Sequence, residues 1–298
     1  MKRSNLILQR TFSAAPERVF SAWSDPHQLA AWWGPAHFST RLVDVQVRAG
    51  GPFRLDMVGP DGTVYGMFGT FHEVTPPSRI VFSSGALDGA GNPLFEVRHT
   101  VAFAPADDGK ATTLTLEAIV VREGPGAAAA LAGMKVGWCQ SLDRLSDLTA
   151  ADRVISSARF FQAPRARVFA MFTDPSHLAQ WWGPAGFRLT THRADFRSGG
   201  EWRFTMHGPD GRDYENHNLV RECEAPERLV FDHVSPPQHR VTIHLYEVMP
   251  EVTALHFQLL FSDAALRQQV AREFKAVEGM QQTLDRLEKL LEGSAVRA

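Results

Sequence analysis

This chain repeats itself, and that limits its possible folds more than any other property of the sequence. Setting Arg10-Thr11-Phe12 against Arg159-Phe160-Phe161 fixes an offset of 149 residues (159 − 10), and the two segments stay in register without a gap to Phe82 and Phe231. About 31 of the 73 aligned positions are identical, which is internal duplication rather than shared composition. The identities include Val19-Phe20 with Val168-Phe169, Asp25-Pro26 with Asp174-Pro175, and Trp32-Trp33-Gly34-Pro35-Ala36 with Trp181-Trp182-Gly183-Pro184-Ala185. They also include Gly50-Gly51 with Gly199-Gly200, and Gly59-Pro60-Asp61-Gly62 with Gly208-Pro209-Asp210-Gly211. After a change in length, Gly137-Trp138-Cys139-Gln140-Ser141-Leu142-Asp143-Arg144-Leu145 matches Gly279-Met280-Gln281-Gln282-Thr283-Leu284-Asp285-Arg286-Leu287. The chain therefore divides into domains 1–149 and 150–298, each of ordinary domain size. The join at Leu148 to Asp152 is short and lacks the composition of a flexible tether, so the two domains are expected to touch.

With 44% hydrophobic and 21% charged residues over 298 positions, the composition is that of a chain able to bury two cores. A formal net charge of −2 offers no excess of cations for nucleic acid or an anionic membrane, so neither is an expected partner. The N-terminal Met1-Lys2-Arg3-Ser4-Asn5 runs directly into alternating residues, and no run of about 18 apolar residues follows, so no leader or membrane span is expected and the location reads as cytoplasmic. Cys139 and Cys223 stand alone in different copies and read as reduced, structural thiols rather than as a disulfide or a zinc pair.

Each copy opens on alternation, Leu6, Leu8, Arg10 and Phe12 in the first and Val154, Ser156 and Phe160 in the second, which predicts a strand. Two short helices follow. Val19, Phe20 and Trp23 make one apolar face after Pro16, Asp25-Pro26 breaks and restarts the chain, and Gly34-Pro35 ends the second helix. The middle of each copy is a strand meander, with Gly-Pro-Asp-Gly as its clearest hairpin signal. The last segment is a long amphipathic helix: Leu131, Met134, Trp138, Leu142 and Leu145 in the first copy, and Leu266, Val270, Phe274, Val277, Leu284, Leu287 and Leu291 in the second. The only large apolar surface available to that stripe is the concave face of the meander.

The motifs Asp-Pro…Trp-Trp-Gly-Pro, Gly-Gly…Arg, Gly-Pro-Asp-Gly and Pro-Pro-Ser-Arg79-Ile-Val-Phe or Ala-Pro-Glu-Arg228-Leu-Val-Phe resemble the activator-of-heat-shock-protein-ATPase-like family, within the START-related helix-grip (SRPBCC) superfamily. The resemblance covers nearly all of both copies. It implies an α+β fold of two tandem helix-grip domains, each a curved antiparallel sheet wrapped around a long C-terminal helix, with two short helices after the first strand. It further implies a cavity beneath that helix for a lipid, sterol, polyketide or hormone, with cyclase or other chemistry in a minority of members. The additional N-terminal chaperone-binding region of the eukaryotic co-chaperones has no counterpart here, so no chaperone partner is expected.

Strand alternation selects the side chains that can line such a cavity, because residues two apart share a face. After Gly50-Gly51, Phe53, Leu55 and Met57 oppose Arg54 and Asp56; after Gly199-Gly200, Trp202, Phe204 and Met206 oppose Arg203, Thr205 and His207. On the next strand the inner sets are Tyr65, Met67, Gly69 and Phe71 in the first copy and Tyr214, Asn216, Asn218 and Val220 in the second. Before the double glycine, Val43, Val45 and Val47 align with His192, Ala194 and Phe196. The first interior is thus expected to be nearly all apolar and mainly structural, and the second, with His192, Tyr214, Asn216 and Asn218, to be the more selective.

The expected ligand-binding side chains are completed by the aromatic residues Trp33, Phe38, Trp138, Trp182 and Phe187. The double glycines read as backbone devices, since no lysine-bearing helix start follows them. His99 reads as a core histidine; His207, His217, His233, His239, His244 and His256 are scattered singly, often facing outward, and no metal or cofactor is expected.

These residues point to a binding module for a small hydrophobic or amphipathic molecule, in stress response or secondary metabolism. A cyclase, aromatase or hydrolase using Tyr214, His192 and the asparagines is the alternative, and a protein-interaction module the third reading; a homo-oligomer is compatible with all three.

Overall fold

The computed structural model describes residues 5–295, and Met1–Ser4, on which the reading of a missing leader partly rests, lies outside them. The chain divides into two compact units, Met1–Ala150 and Ala151–Ala298. In the first, strand β1 (Asn5–Phe12) leads to helices α1 (Pro16–Ser24) and α2 (Pro26–Trp32), then β2 (Ser39–Val45), β3 (Phe53–Val58), β4 (Val64–Thr75), β5 (Arg79–Ala86), β6 (Phe95–Ala106) and β7 (Ala111–Glu123). Helices α3 (Ala127–Ala132) and α4 (Met134–Thr149) close it. The second repeats the plan with β8 (Val154–Phe161), α5 (Arg165–Thr173), α6 (Pro175–Trp181), β9 (Arg188–Ala194), β10 (Glu201–His207), β11 (Asp213–Glu224), β12 (Arg228–His233), β13 (His239–Met249), β14 (Val252–Phe261), α7 (Ala264–Glu273) and α8 (Ala276–Ala295).

Each unit folds into one seven-stranded antiparallel sheet, ordered β1-β7-β6-β5-β4-β3-β2 and β8-β14-β13-β12-β11-β10-β9. The meander is therefore consecutive, and the first strand returns to pair with the last, Leu8 opposite Leu116 and Ser157 opposite Phe257. The C-terminal helix lays its stripe on the inner face: Trp138, Leu142 and Leu145 join Phe53, Phe82 and Leu116 in the first core, and Met280, Leu284 and Leu287 join Phe204, Phe231 and Phe257 in the second. Burial of each such leucine or phenylalanine is worth about 1.5–3 kcal/mol, which holds the helix on the sheet.

The long helix of each unit differs from the expectation of one continuous rod. In the first unit it is interrupted at Gly133, between α3 and α4. In the second, Lys275 stands at φ +49° between α7 and α8, a left-handed conformation that breaks the helical hydrogen-bond ladder. The double glycines are backbone devices: Gly50 has φ +76°, and a Cβ on Gly51 would stand 2.0 Å from the Gln46 carbonyl oxygen. Among the described residues no helix is long and apolar enough to cross a membrane.

Candidate functional site

One wall of each site is the loop after the second short helix. Asp25 starts α2 by accepting hydrogen bonds from the His27 and Gln28 N–H groups (2.8 and 3.0 Å), and these hold its carboxyl below the usual carboxylate range. Trp32 is fixed inside by donating from Nε1 to the Ala22 carbonyl (2.8 Å), as Trp181 donates to that of Met171 (3.0 Å). Gly34 then turns the chain at φ +95°, where a side chain would be strained.

The exposed carbonyls of this loop are gathered by an arginine from the C-terminal helix. Arg144 Nη1 lies 3.1 Å from the carbonyl oxygens of Gly34, Pro35 and Phe38 and 3.3 Å from that of Trp33, while Nη2 donates to Ala31 (3.0 Å). Arg286 does the same at Gly183, Pro184, Phe187 and Gln180. Partial burial lowers the pKa of both guanidinium groups, whose hydration is replaced by carbonyl dipoles. Helix and loop are thereby tied together at one side of an unfilled space.

In the first unit that space is a cavity of ≈ 300 Å³. Its helix side presents Ala129, Ala130, Gly133 and Gly137, residues too small to reach the sheet, and this is why the space stays open. Its sheet side is apolar (Met57, Met67, Phe95, Val97) apart from the exposed Tyr65 and one buried pair: Ser84 Oγ and His99 Nε2 stand 2.9 Å apart, 4% and 2% exposed. The imidazole stacks on Phe82 (centroids 4.6 Å, 24°) and meets Trp138 edge-on (5.2 Å), and its Nδ1 is buried without a hydrogen-bond partner. Burial in these surroundings pulls the His99 pKa down to about 3, so the ring is neutral at ordinary pH.

The second unit holds a smaller cavity of ≈ 230 Å³ beneath α8, walled by Trp182, Phe204, Phe231, Phe257 and Leu259. Its polar strip is longer. Asn218, 1% exposed, faces His233 across the strands with Oδ1 2.8 Å from Nδ1, and the His233 ring lies tilted at 34° against its cross-strand partner His239 (centroids 4.7 Å). Desolvation first, and then the nearby His239 and His217, take the His233 pKa down to about 3; burial lowers His239 as well, opposed by its hydrogen bond to the Pro237 carbonyl. No lysine, arginine, aspartate or glutamate lines either cavity.

The family model for "Activator of Hsp90 ATPase homolog 1-like protein" matches residues 13–150 and again 162–292. The chain belongs to this family. Solved structures similar to the chain include a protein from Arthrobacter aurescens (26% identity, TM-score 0.45, covering 49% of this chain and 86% of that one) and one from Chromobacterium violaceum (28%, 0.42, 49% and 96%). A third, described as the AHSA1 protein from Silicibacter pomeroyi, is 28% identical with a TM-score of 0.44, covering 50% of this chain and 99% of that one. No match was found among curated proteins.

In this Activator of Hsp90 ATPase homolog 1-like chain, Trp33, Met57, Tyr65, Met67 and Trp138 line the first cavity, and Trp182, Phe204, Met206, Asn216 and Asn218 the second. Phe53, Leu55, Phe71 and Trp202 share the inner face but are packed into the cores, Phe53 against Trp33 and Trp202 stacked on Phe204. Phe38 lies outside the cavity lining, its ring tilted against that of Tyr65 (centroids 5.9 Å). Phe187 pairs likewise with Tyr214, which is 39% exposed and does not line the second cavity.

His192 is also corrected. The β9–β10 register slips between Arg203 and Phe204, leaving His192 as the extra residue of a β-bulge; it is turned outward and bonds Thr205 Oγ1 at 2.8 Å. Val43 occupies the same bulge position in the first unit and is 60% exposed. Parity fails at these positions because a bulge shifts the alternation by one.

Ser84 and His99 are the buried polar exception in a first cavity that is otherwise mostly apolar, and the outward reading of the later histidines is corrected by His233 and His239. A signal for these was present in the offset of 149 residues, which maps Ser84 onto His233 and so places a polar group at the same inner position of both copies.

Proposed function

We propose that this chain binds small hydrophobic or amphipathic molecules inside its two domains, in the cytoplasm. The observation that carries the reading is that each unit keeps an apolar-walled space between sheet and C-terminal helix, ≈ 300 Å³ and ≈ 230 Å³, which side chains do not fill. Close packing is the norm for protein interiors, so unfilled space of this size costs stability, and a guest that occupies it recovers part of the lost contact. Each wall adds a few polar groups inside an apolar lining, the composition expected of a small-molecule site.

With His192 turned outward and Tyr214 outside the second cavity, the enzyme alternative loses its residues there and passes to the Ser84–His99 pair of the first, which has the spacing of a nucleophile and its base. A ring that stays neutral down to about pH 3, with no group orienting Nδ1, is a poor proton acceptor, and this favours recognition over catalysis.

The test is a thermal-shift screen against lipids and aromatic compounds, with Ala86→Phe and Leu259→Trp as cavity-blocked controls. A ligand at about 100 times its Kd raises stability by about 2.7 kcal/mol. Binding retained by the double variant that carries both substitutions would place the site elsewhere and refute the reading.

A further inference from the structure

The two sheets superimpose in register, yet they place their polar groups differently. In the first unit Phe82 faces His99 and Ser84 faces Val97; in the second Phe231 faces Val241 and His233 faces His239. The histidine has therefore moved by one step along the inner face, and the first cavity is left with one buried hydroxyl–imidazole handle in a largely hydrocarbon and aromatic wall, where the Ser141 hydroxyl is committed to the Gly137 carbonyl (2.9 Å) and Tyr65 is 44% exposed.

We propose that the first cavity selects an uncharged, flat aromatic ligand carrying one oxygen, a phenol or a ketone, and rejects carboxylates, through the Ser84–His99 pair. This rests on the reading of the cavity as a binding site and adds the class of its occupant. The pair is amphoteric. With the ring protonated at Nδ1, the serine proton goes to Nε2 and the hydroxyl oxygen accepts from a ligand O–H; in the other tautomer Nε2 donates to the serine, whose own proton reaches a ligand carbonyl.

Both forms are neutral, and the buried, unpartnered Nδ1 gains no countercharge from the wall. A carboxylate entering this space would lose its hydration with no cation among the lining residues to replace it. Flatness follows from the lining, where Trp33 and Trp138 stand on one side with rings 5.2 Å apart, and Phe95, Met57 and Met67 lie on the others.

The experiment is calorimetry on the full chain carrying Leu259→Trp, which blocks the second cavity, with 2-naphthol, naphthalene and 2-naphthoate as probes. The expected order is 2-naphthol about tenfold tighter than naphthalene, and 2-naphthoate weaker than both, by more than about 30-fold against 2-naphthol. His99→Phe should bring 2-naphthol to within about twofold of naphthalene while naphthalene still binds, and the milder Ser84→Ala should do the same where the phenylalanine variant fails to fold.

Equal affinity for 2-naphthoate, or an unchanged 2-naphthol to naphthalene ratio in the variants, would overturn the selectivity while leaving the cavity as a site. Absence of heat with all three probes would overturn the binding reading together with it.

Discussion

Replacing Arg144 by Met keeps the length of the side chain and removes its fork of donors, and the cost can be worked from the geometry. Nη1 has two protons to share among four carbonyls at 3.1–3.3 Å, and Nη2 commits one more to Ala31, so three hydrogen bonds rather than five are lost. Two of the carbonyls keep another partner: Trp33 accepts from Thr40 Oγ1 and Pro35 from the Phe38 N–H. A hydrogen bond to a charged group contributes about 1.5–3 kcal/mol; at the low end the two from Nη1 give about 3 kcal/mol and the exposed Nη2 contact adds about 1 at most, so the sum is about 3–4 kcal/mol.

Urea unfolding followed by tryptophan emission reports on this directly, since Trp23, Trp32, Trp33 and Trp138 all sit in the first core. With a slope of about 2 kcal/mol/M, the midpoint of the first unit should fall by about 1.5–2 M. Arg286→Met is the matched perturbation in the second unit, with contacts of 2.8, 3.0, 3.3 and 3.1 Å, and should cost about as much there. A loss under about 1 kcal/mol in both variants would refute the argument that these arginines hold loop to helix.

Other consequences are checked more briefly. Burial takes His99 and His233 to about 3 from an ordinary 6.5, so each folded unit resists a proton that the unfolded chain accepts. Stability is then complete above about pH 6.5 and falls by about 1.4 kcal/mol per pH unit per histidine between about pH 6 and 4; His99→Phe should flatten that slope in the first unit, and an unchanged slope would contradict it. Asn218→Leu strips His233 Nδ1 of its 2.8 Å partner in a buried site and should cost about 1–3 kcal/mol by denaturant titration. Asn216→Leu, where Nδ2 donates to the Tyr214 carbonyl at a half-buried position, should cost under about 1 kcal/mol. Ala86→Phe should cancel any ligand-induced rise in Tm that comes from the first cavity and leave that of the second, and Leu259→Trp the reverse.

The parts of the molecule legible in the sequence are those that repeat locally. The offset of 149 residues, the Asp-Pro restart, the Gly-Pro-Asp-Gly hairpins and the helical spacing after Gly137 or Gly279 are short-range patterns, and they lead to the sheet order and to the helix lying on it. The cavity lining was legible where strands are regular, as at Met57, Met67, Asn216 and Asn218. Alternation misled at His192, because one bulged residue inverts the parity of its neighbours along the strand, and at Tyr214, which lies near the strand end where the inner face opens to solvent. Ser84, His99, His233 and His239 meet only through β5–β6 and β12–β13 pairing, a relation set by the register rather than by spacing along the chain. Arg144 and Arg286 stood inside the matched motif, but their carbonyl partners lie 99 or more residues away in sequence.

That each domain encloses apolar space accessible to a guest can be tested without knowing the ligand, by diffraction from crystals held under xenon pressure, since dry apolar cavities take up this gas. Ordered xenon is expected beneath α4, against Trp33, Met67 and Trp138, and beneath α8, against Trp182, Phe204 and Leu259. Crystals showing xenon at neither position, with side chains occupying both spaces, would contradict the existence of a binding cavity in either domain.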